Sequence, residues 1–182
     1  LSMLQGDFFA ENGIELHLSR QVVDIDRDLK VVRDAKGHET HWDKLVLATG
    51  SYPFVPPVPG HDSEGCFVYR TLDDLDDIAR RAKNATRGVV IGSGLLGLEA
   101  ANALKQLGLE THVVEFAPAL MAVQLDEQGG AMLRQKITAL GVQVHTSKST
   151  RDIVTSSSEL TLNFADGESL TTDMVVFLAG IR

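Results

Sequence analysis

Val89-Val90-Ile91-Gly92-Ser93-Gly94-Leu95-Leu96-Gly97-Leu98-Glu99 decides the fold of this 182-residue chain. Three β-branched residues run directly into G-x-G-x-x-G. Leu96, Ala100, Leu104 and Leu107 then recur at helical spacing until Gly108 stops the run. The stretch therefore predicts a buried strand at Val89–Ile91, a tight turn, and a helix over Leu95–Leu107 with those four residues along one face. Each glycine has a physical task. Gly92 makes the turn out of the strand, Gly94 leaves bare main chain for a diphosphate, and Gly97 lets the helix approach the sheet. The helix start adds unpaired N–H groups and the positive end of its dipole, with Ser93, Leu95 and Leu96 in the same loop. Glu115 follows Gly92 by 23 positions, at the end of the next strand. A carboxylate there accepts hydrogen bonds from the adenosine ribose and repels a 2′-phosphate. Phe116, Ala117 and Pro118 come next, with no cation for such a phosphate, so NADH is expected in preference to NADPH.

Downstream, Thr111–Glu115 reads as a strand, Leu125–Leu140 as a helix through Leu133, Ile137 and Leu140, and Val142–His145 as a strand after Gly141. This β-α-β-α-β order with short joints is that of a parallel sheet covered by helices, an α/β fold. Strand patterns follow at Ile153-Val154, at Leu160–Phe164 before an Asp166-Gly167 turn, and at Met174–Ala179; Ser156-Ser157-Ser158 is a brief low-complexity tract.

Upstream, Thr71 is placed to cap a helix with Asp73 and Asp74 in its first turn, Arg80, Arg81 and Lys83 in its last, and Leu72, Leu75, Ile78 and Ala82 as its stripe. Capping and solvation account for the acidic cluster Asp73, Asp74, Asp76 and Asp77, which could otherwise suggest a metal. Four prolines between Pro53 and Pro59 mark a candidate boundary. Before them, Leu45–Ala48 reads as a strand buried on both faces. Ile14–Leu18, Gln21–Asp26, Leu29–Asp34 and His38–Trp42 are short strands close enough for antiparallel hairpins, and Met3–Asn12 is the end of a helix.

Composition excludes several classes. Lys+Arg 17 against Asp+Glu 25 gives a net charge of −8, which disfavours nucleic acid and anionic membrane as partners. No apolar run approaches the roughly 18 residues of a spanning helix. Cys66 is alone, so a reduced, cytoplasmic setting is expected. It reads as a small hydrophobe. The six histidines His17, His38, His41, His61, His112 and His145 show no zinc-type spacing and no carboxylate partner, with His112 and His145 placed at strand edges. No catalytic side chain and no metal site emerge; the reactive chemistry is expected to belong to cofactors.

These motifs together resemble the flavin- and pyridine-nucleotide-dependent disulfide oxidoreductase superfamily, in which an NADH domain is nested within an FAD domain. Leu45–Ser51 is similar to the strand, ending Ala-Thr-Gly, that closes the first FAD segment, and Pro56–Gly60 to its P-x-x-P-G tail. Val89–Glu99 matches the inner fingerprint, and Asp173–Arg182 the strand that returns to the FAD domain. The resemblance implies a three-layer Rossmann-like FAD/NAD(P)-binding fold, a parallel sheet with helices plus a β-meander. It also implies a division into residues 1–70 as part of an FAD domain, 71–172 as the NADH domain and 173–182 as the return strand. It places FAD against Val22, Thr49, Gly50 and Ser51, and the nicotinamide near Glu99 and Gly180.

Cys66–Thr71, Gly94–Ala101, Glu115–Pro118, Gln124–Asp126 with Gly129-Gly130, and Val144–Lys148 are similar to the large-subunit family of NADH-dependent bacterial nitrite reductases, enzymes of nitrate assimilation. That likeness implies hydride passage from NADH to FAD, with nitrite reduced to ammonium at a sirohaem served by an iron–sulfur cluster, both elsewhere in a longer parent protein that also has a small subunit. The family's first G-x-G-x-x-G and its later G-D motif are absent here. The chain is therefore expected to be an internal fragment that does not retain stoichiometric FAD and is inactive alone. Two other readings share these motifs: an NADH-dependent rubredoxin or ferredoxin reductase, and a dinucleotide-sensing module without turnover.

Overall fold

A computed structural model of the chain describes residues 8–157 and 159–181. They divide into two compact units, one ending at Thr49 and the other beginning at Gly50. Residues 3–7 of the expected first helix, Ser158 of the serine tract, and Arg182 lie outside the described residues.

In the first unit a short helix α1 (Phe8–Glu11) stops at Gly13, whose φ of +64° turns the chain. Strands β1 (Val22–Asp26), β2 (Val31–Asp34) and β3 (Glu39–His41) follow as an antiparallel meander in that order. Its turns are set by aspartates. The Asp26 carboxylate accepts from the N–H groups of Asp28 and Leu29, and that of Asp34 from Lys36 and His38. Arg33 on the middle strand pairs with Asp24 on one neighbour and Glu39 on the other.

Two expectations fail here. Neither Ile14–Leu18 nor Leu45–Ala48 forms a strand, and Val46 and Leu47 are 84% and 67% exposed. Leu45–Ala48 is apolar on both faces, and such a strand is stable only between other strands under covering layers. Among the described residues no strand pairs with it or with Ile14–Leu18.

The second unit is built on a parallel sheet of β4 (Cys66–Val68), β5 (Arg87–Ile91), β6 (Glu110–Val114), β7 (Gln143–His145) and β11 (Met174–Phe177), in the order β4-β11-β5-β6-β7. Side chains alternate along these strands. Val90, Val113, Met174 and Val176 enter a core with the helices α2 (Leu72–Ala82), α3 (Leu95–Gln106) and α4 (Glu127–Ala139). Val89, Val114, Val175 and Phe177 enter a second core with Ile153, Leu160, Leu162 and Phe164. Those four come from an antiparallel meander of β8 (Thr150–Ser156), β9 (Glu159–Phe164) and β10 (Ser169–Thr172). The result is three layers: helices, parallel sheet, meander.

The Thr71 cap is a full capping box with Asp74, and Asp77 of the acidic cluster pairs with Arg80. α4 starts at Glu127, two residues later than its apolar pattern suggests, because the Asp126 side chain caps the Gly129 N–H. The apolar faces shift as well. On α3 the buried residues are Gly97, Ala100, Ala101 and Leu104, while Leu96 and Leu107 are about half exposed; Leu72, Leu75 and Leu140 are exposed too. Helix α3 seats on the sheet through its small residues, which carry it closer than a leucine stripe allows.

Candidate dinucleotide site

The chain steps from β5 outward through β6 to β7, whereas β11 lies on the other side of β5. Open α/β sheets form ligand crevices beyond the carboxyl ends of their strands where the order reverses in this way. Ile91, Val114 and Phe177, the last residues of β5, β6 and β11, line a cavity of about 550 Å³. Gly94, Glu115, Phe116, Met121, Lys148 and Gly180 line it too.

The fingerprint glycines have the geometry expected of them. Gly92 has φ +112°, and a Cβ there would lie 2.3 Å from the Leu178 carbonyl oxygen. A Cβ on Gly97 would lie 2.1 Å from the Gly92 carbonyl oxygen, so helix and strand touch through bare main chain. Gly94 is different. Its φ of −67° suits any residue, and a Cβ would meet nothing within 4 Å. The space above Gly94 is cavity. It caps α3 with no side-chain hydrogen bond, unlike Thr71 on α2 and Asp126 on α4. The first-turn N–H groups of Leu95 and Leu96 thus lie at a bare helix start, which attracts an anion.

Glu115 sits just past β6. Its Oε2 accepts from the Ser93 N–H at 2.8 Å and the Ser93 hydroxyl at 2.6 Å, and its Oε1 from the Ala117 N–H at 2.8 Å. Ser93 is 1% exposed and its hydroxyl also accepts from the Met121 N–H. The main chain of Glu115 is held on both sides, its N–H donating to the His145 carbonyl and its carbonyl accepting from the Lys148 N–H. One anionic group therefore stands fixed between the glycine loop and the cavity, next to the exposed ring of Phe116.

Of the residues singled out from sequence, Gly94, Glu115, Phe116 and Gly180 line the cavity, and Gly92, Ser93 and Gly97 shape it. Leu95 and Leu96 are exposed at the start of α3, and Glu99 is exposed on its first turns without lining the cavity. Val22 and Thr49 belong to the first unit, Gly50 and Ser51 to the second. Gly50 has φ +73°, and a Cβ there would meet only the Arg70 guanidinium, at 3.9 Å. The cavity also draws on Phe54, Leu178 and Lys148, which sequence reading did not select. The strand-end rule was the signal available for Leu178.

Three histidine expectations are overturned. His38 contacts Asp34 at 3.0 Å, and His17 contacts Glu15 at 3.1 Å. His112 lies inside the sheet, 3% exposed, with its Nδ1 3.0 Å from His145 Nε2 and its Nε2 3.3 Å from Glu110. Parallel pairing sets Val113 beside Val144 and so brings these two rings together. Burial first, and then the neighbouring His145, hold His112 below the usual histidine range; burial and then Lys148 do the same to His145. Cys66 is half-buried, and its burial beside Asp62 raises the thiol to about 11. It stays protonated at neutral pH and is no nucleophile. Among the described residues no helix is long and apolar enough to cross a membrane.

The family model for pyridine nucleotide-disulphide oxidoreductases matches residues 7–182. Over its whole length the chain is 75% identical to the nitrite reductase [NAD(P)H] large subunit of Klebsiella oxytoca, covering 19% of that protein. It spans about a fifth of the nitrite reductase large subunits it matches in Klebsiella oxytoca and Escherichia coli. The crystal structure of the ferredoxin reductase for the CYP199A2 system of Rhodopseudomonas palustris superposes with a TM-score of 0.92 at 30% identity, over 100% of this chain and 45% of that one. The water-forming NADH oxidase of Lactobacillus brevis, bound to NADH, gives 0.85 at 27% identity, over 95% of this chain and 39% of that one.

Proposed function

Because the chain belongs to the pyridine nucleotide-disulphide oxidoreductase family, we propose that it binds NADH and forms the electron-input portion of a flavin-dependent reductase. In this reading the parent protein is a nitrite reductase, which reduces nitrite to ammonium in the cytoplasm at a sirohaem and iron–sulfur centre elsewhere, together with a small subunit. The 75% identity to a nitrite reductase large subunit supports that assignment. Residues 1–70 would contribute to an FAD domain, 71–172 form the NADH domain and 173–182 lead back to the FAD domain.

The observation that carries the reading is the open space over Gly94, bounded by an uncapped helix start on one side and the fixed Glu115 carboxylate on the other. The bare main chain from Gly92 to Gly97 takes the diphosphate, and Glu115 with Phe116 takes the adenosine. Gly180, three residues past β11, and Glu99 belong to the nicotinamide end. Val22, Thr49, Gly50 and Ser51 are the residues for FAD, and the open main chain at Gly50 fits such a role. Hydride passage from nicotinamide to flavin is chemistry that the cofactors supply when bound. The protein's part is to fix the dinucleotide at both ends and exclude water along the apolar wall of Ile91, Val114 and Phe177.

Calorimetric titration with NADH and NADPH tests the site. Saturable binding of NADH, tighter than that of NADPH, is the expected result, and absence of NADH binding overturns the reading. The likeness to a ferredoxin reductase structure favours a second acceptor, ferredoxin. NADH-driven formation of ammonium from nitrite by the longer protein, set against ferredoxin reduction, separates the two.

A further inference from the structure

Lys148 follows β7 in a loop whose preceding residue, Ser147, is held in the left-handed region at φ +56°. Its ammonium donates to Asp166 at 2.5 Å and to Glu168 at 2.7 Å, across the turn between β9 and β10, and lies 5.4 Å from the centre of the Phe164 ring. The side chain is only 13% exposed although both carboxylates are at the surface. Asp166 first, and then Glu168, raise its pKa above the ordinary lysine value.

An ion pair of this kind ordinarily contributes little. The main chain around it makes this one different. The Lys148 N–H donates to the Glu115 carbonyl, the Ser147 N–H donates to the Ala117 carbonyl, and the Ser149 carbonyl accepts from the Ala165 N–H. Residues 147–149 thus splint the end of β6 to the β9–β10 turn, and Lys148 is the splint's only charged anchor on that turn.

We propose that Lys148 is a positioning residue for the adenosine half of the dinucleotide, fixing Glu115 through its main chain while Asp166 and Glu168 fix Lys148. This rests on the reading of the site given above. Glu115 has to meet a ribose while keeping Ser93, and a small displacement of its main chain spoils that fit. The nicotinamide end, at Gly180, has no bond to this splint and is left untouched.

The test is calorimetry on the 182-residue chain with NADH and with reduced nicotinamide mononucleotide, which lacks the adenosine half. Lys148→Met is expected to raise the Kd for NADH by about fivefold or more while leaving the mononucleotide within about twofold, and Lys148→Arg to restore NADH binding. The double variant Asp166→Asn/Glu168→Gln, which alters only exposed side chains, is expected to reproduce the NADH loss with Lys148 intact. NADH affinity unchanged in both Lys148→Met and the double variant overturns the proposal. So does equal weakening of NADH and the mononucleotide, which marks a merely structural role. A wild-type chain that fails to bind NADH brings down the site reading itself, and this inference with it.

Discussion

The Glu115 carboxylate and Ser93 are joined directly, with Ser93 donating to one carboxylate oxygen through both its N–H and its hydroxyl. A carboxylate offers about four acceptor positions. Ser93 uses two and the Ala117 N–H a third, which leaves one for a ribose hydroxyl without breaking the others. Ser93→Ala should therefore loosen the loop rather than unfold it, at about 1–3 kcal/mol in a denaturant titration, since the lost bond is buried and charge-assisted. Glu115→Ala should raise the Kd for NADH by about tenfold or more. Unchanged affinity in that variant removes Glu115 from the site.

Gly94 and Gly97 make opposite predictions from the same motif. Gly94→Val adds a side chain where a Cβ meets nothing within 4 Å and φ is ordinary. The chain should still fold cooperatively, losing no more than about 1 kcal/mol from the poorer helix cap, while NADH binding disappears. Gly97→Val drives a side chain into the Gly92 carbonyl, 2.1 Å from its own Cβ, and should yield insoluble or unfolded protein. A Gly94→Val chain that still binds NADH shows that the cavity over it serves something else.

What sequence made legible, and what it did not, follows from the range of the interactions. Gly92 and Gly97 stand out because only glycine meets a positive φ or a main-chain contact of that closeness, and the Thr71–Asp74 box because both partners lie within one turn. Half of the α3 face is legible: Ala100 and Leu104 are buried as their spacing predicts. Leu96 and Leu107 are exposed and the small residues Gly97 and Ala101 are buried instead, because leucine periodicity identifies apolar residues and not the ones near enough to touch a sheet. Leu45–Ala48 carries the composition of a buried strand, but burial needs partners that composition does not supply. Lys148 with Asp166 and Glu168, and His112 with His145, depend on registers between strands far apart in the chain. Glu115 was legible from its spacing, whereas its bond to Ser93 was not.

The histidine pair sets the sign of the stability–pH profile. In the unfolded chain His112 and His145 take up protons near the ordinary value of 6.5, whereas the fold holds both below it. Between those values the unfolded state binds more protons, so stability rises with pH. Their contribution is complete above about pH 7 and is lost as pH falls through about 6.5 toward the folded values. Glu110 and Arg87 face His112, and Lys148, Glu168 and Arg134 face His145. Denaturation midpoints between about pH 5 and 7 should therefore slope upward in the wild type and flatten in His112→Gln/His145→Gln. An equal slope in the double variant assigns the effect to other groups.

Asp173 anchors the unit at the end remote from the cavity. Its carboxylate accepts from the Thr86 N–H and hydroxyl and from the Arg87 N–H, at 2.7 to 2.9 Å, and its carbonyl accepts from the Arg81 guanidinium of α2. One residue thus ties α2, the start of β5 and the start of β11. Burial works against its charge, but the donors of Thr86 and Arg87 outweigh it and hold the carboxyl below its ordinary 3.8. Its contribution is therefore complete above that value and is lost as pH falls through the lower folded one. Asp173→Asn keeps the shape and discards the charge, and should lower stability by about 1–2 kcal/mol at neutral pH once solvent screening is allowed for. The acid-side loss should shrink with it. NADH affinity should not change, because the anchor touches the amino end of β5 and the ligand its carboxyl end; a variant that loses affinity while keeping its stability shows that the two ends of the strand are coupled.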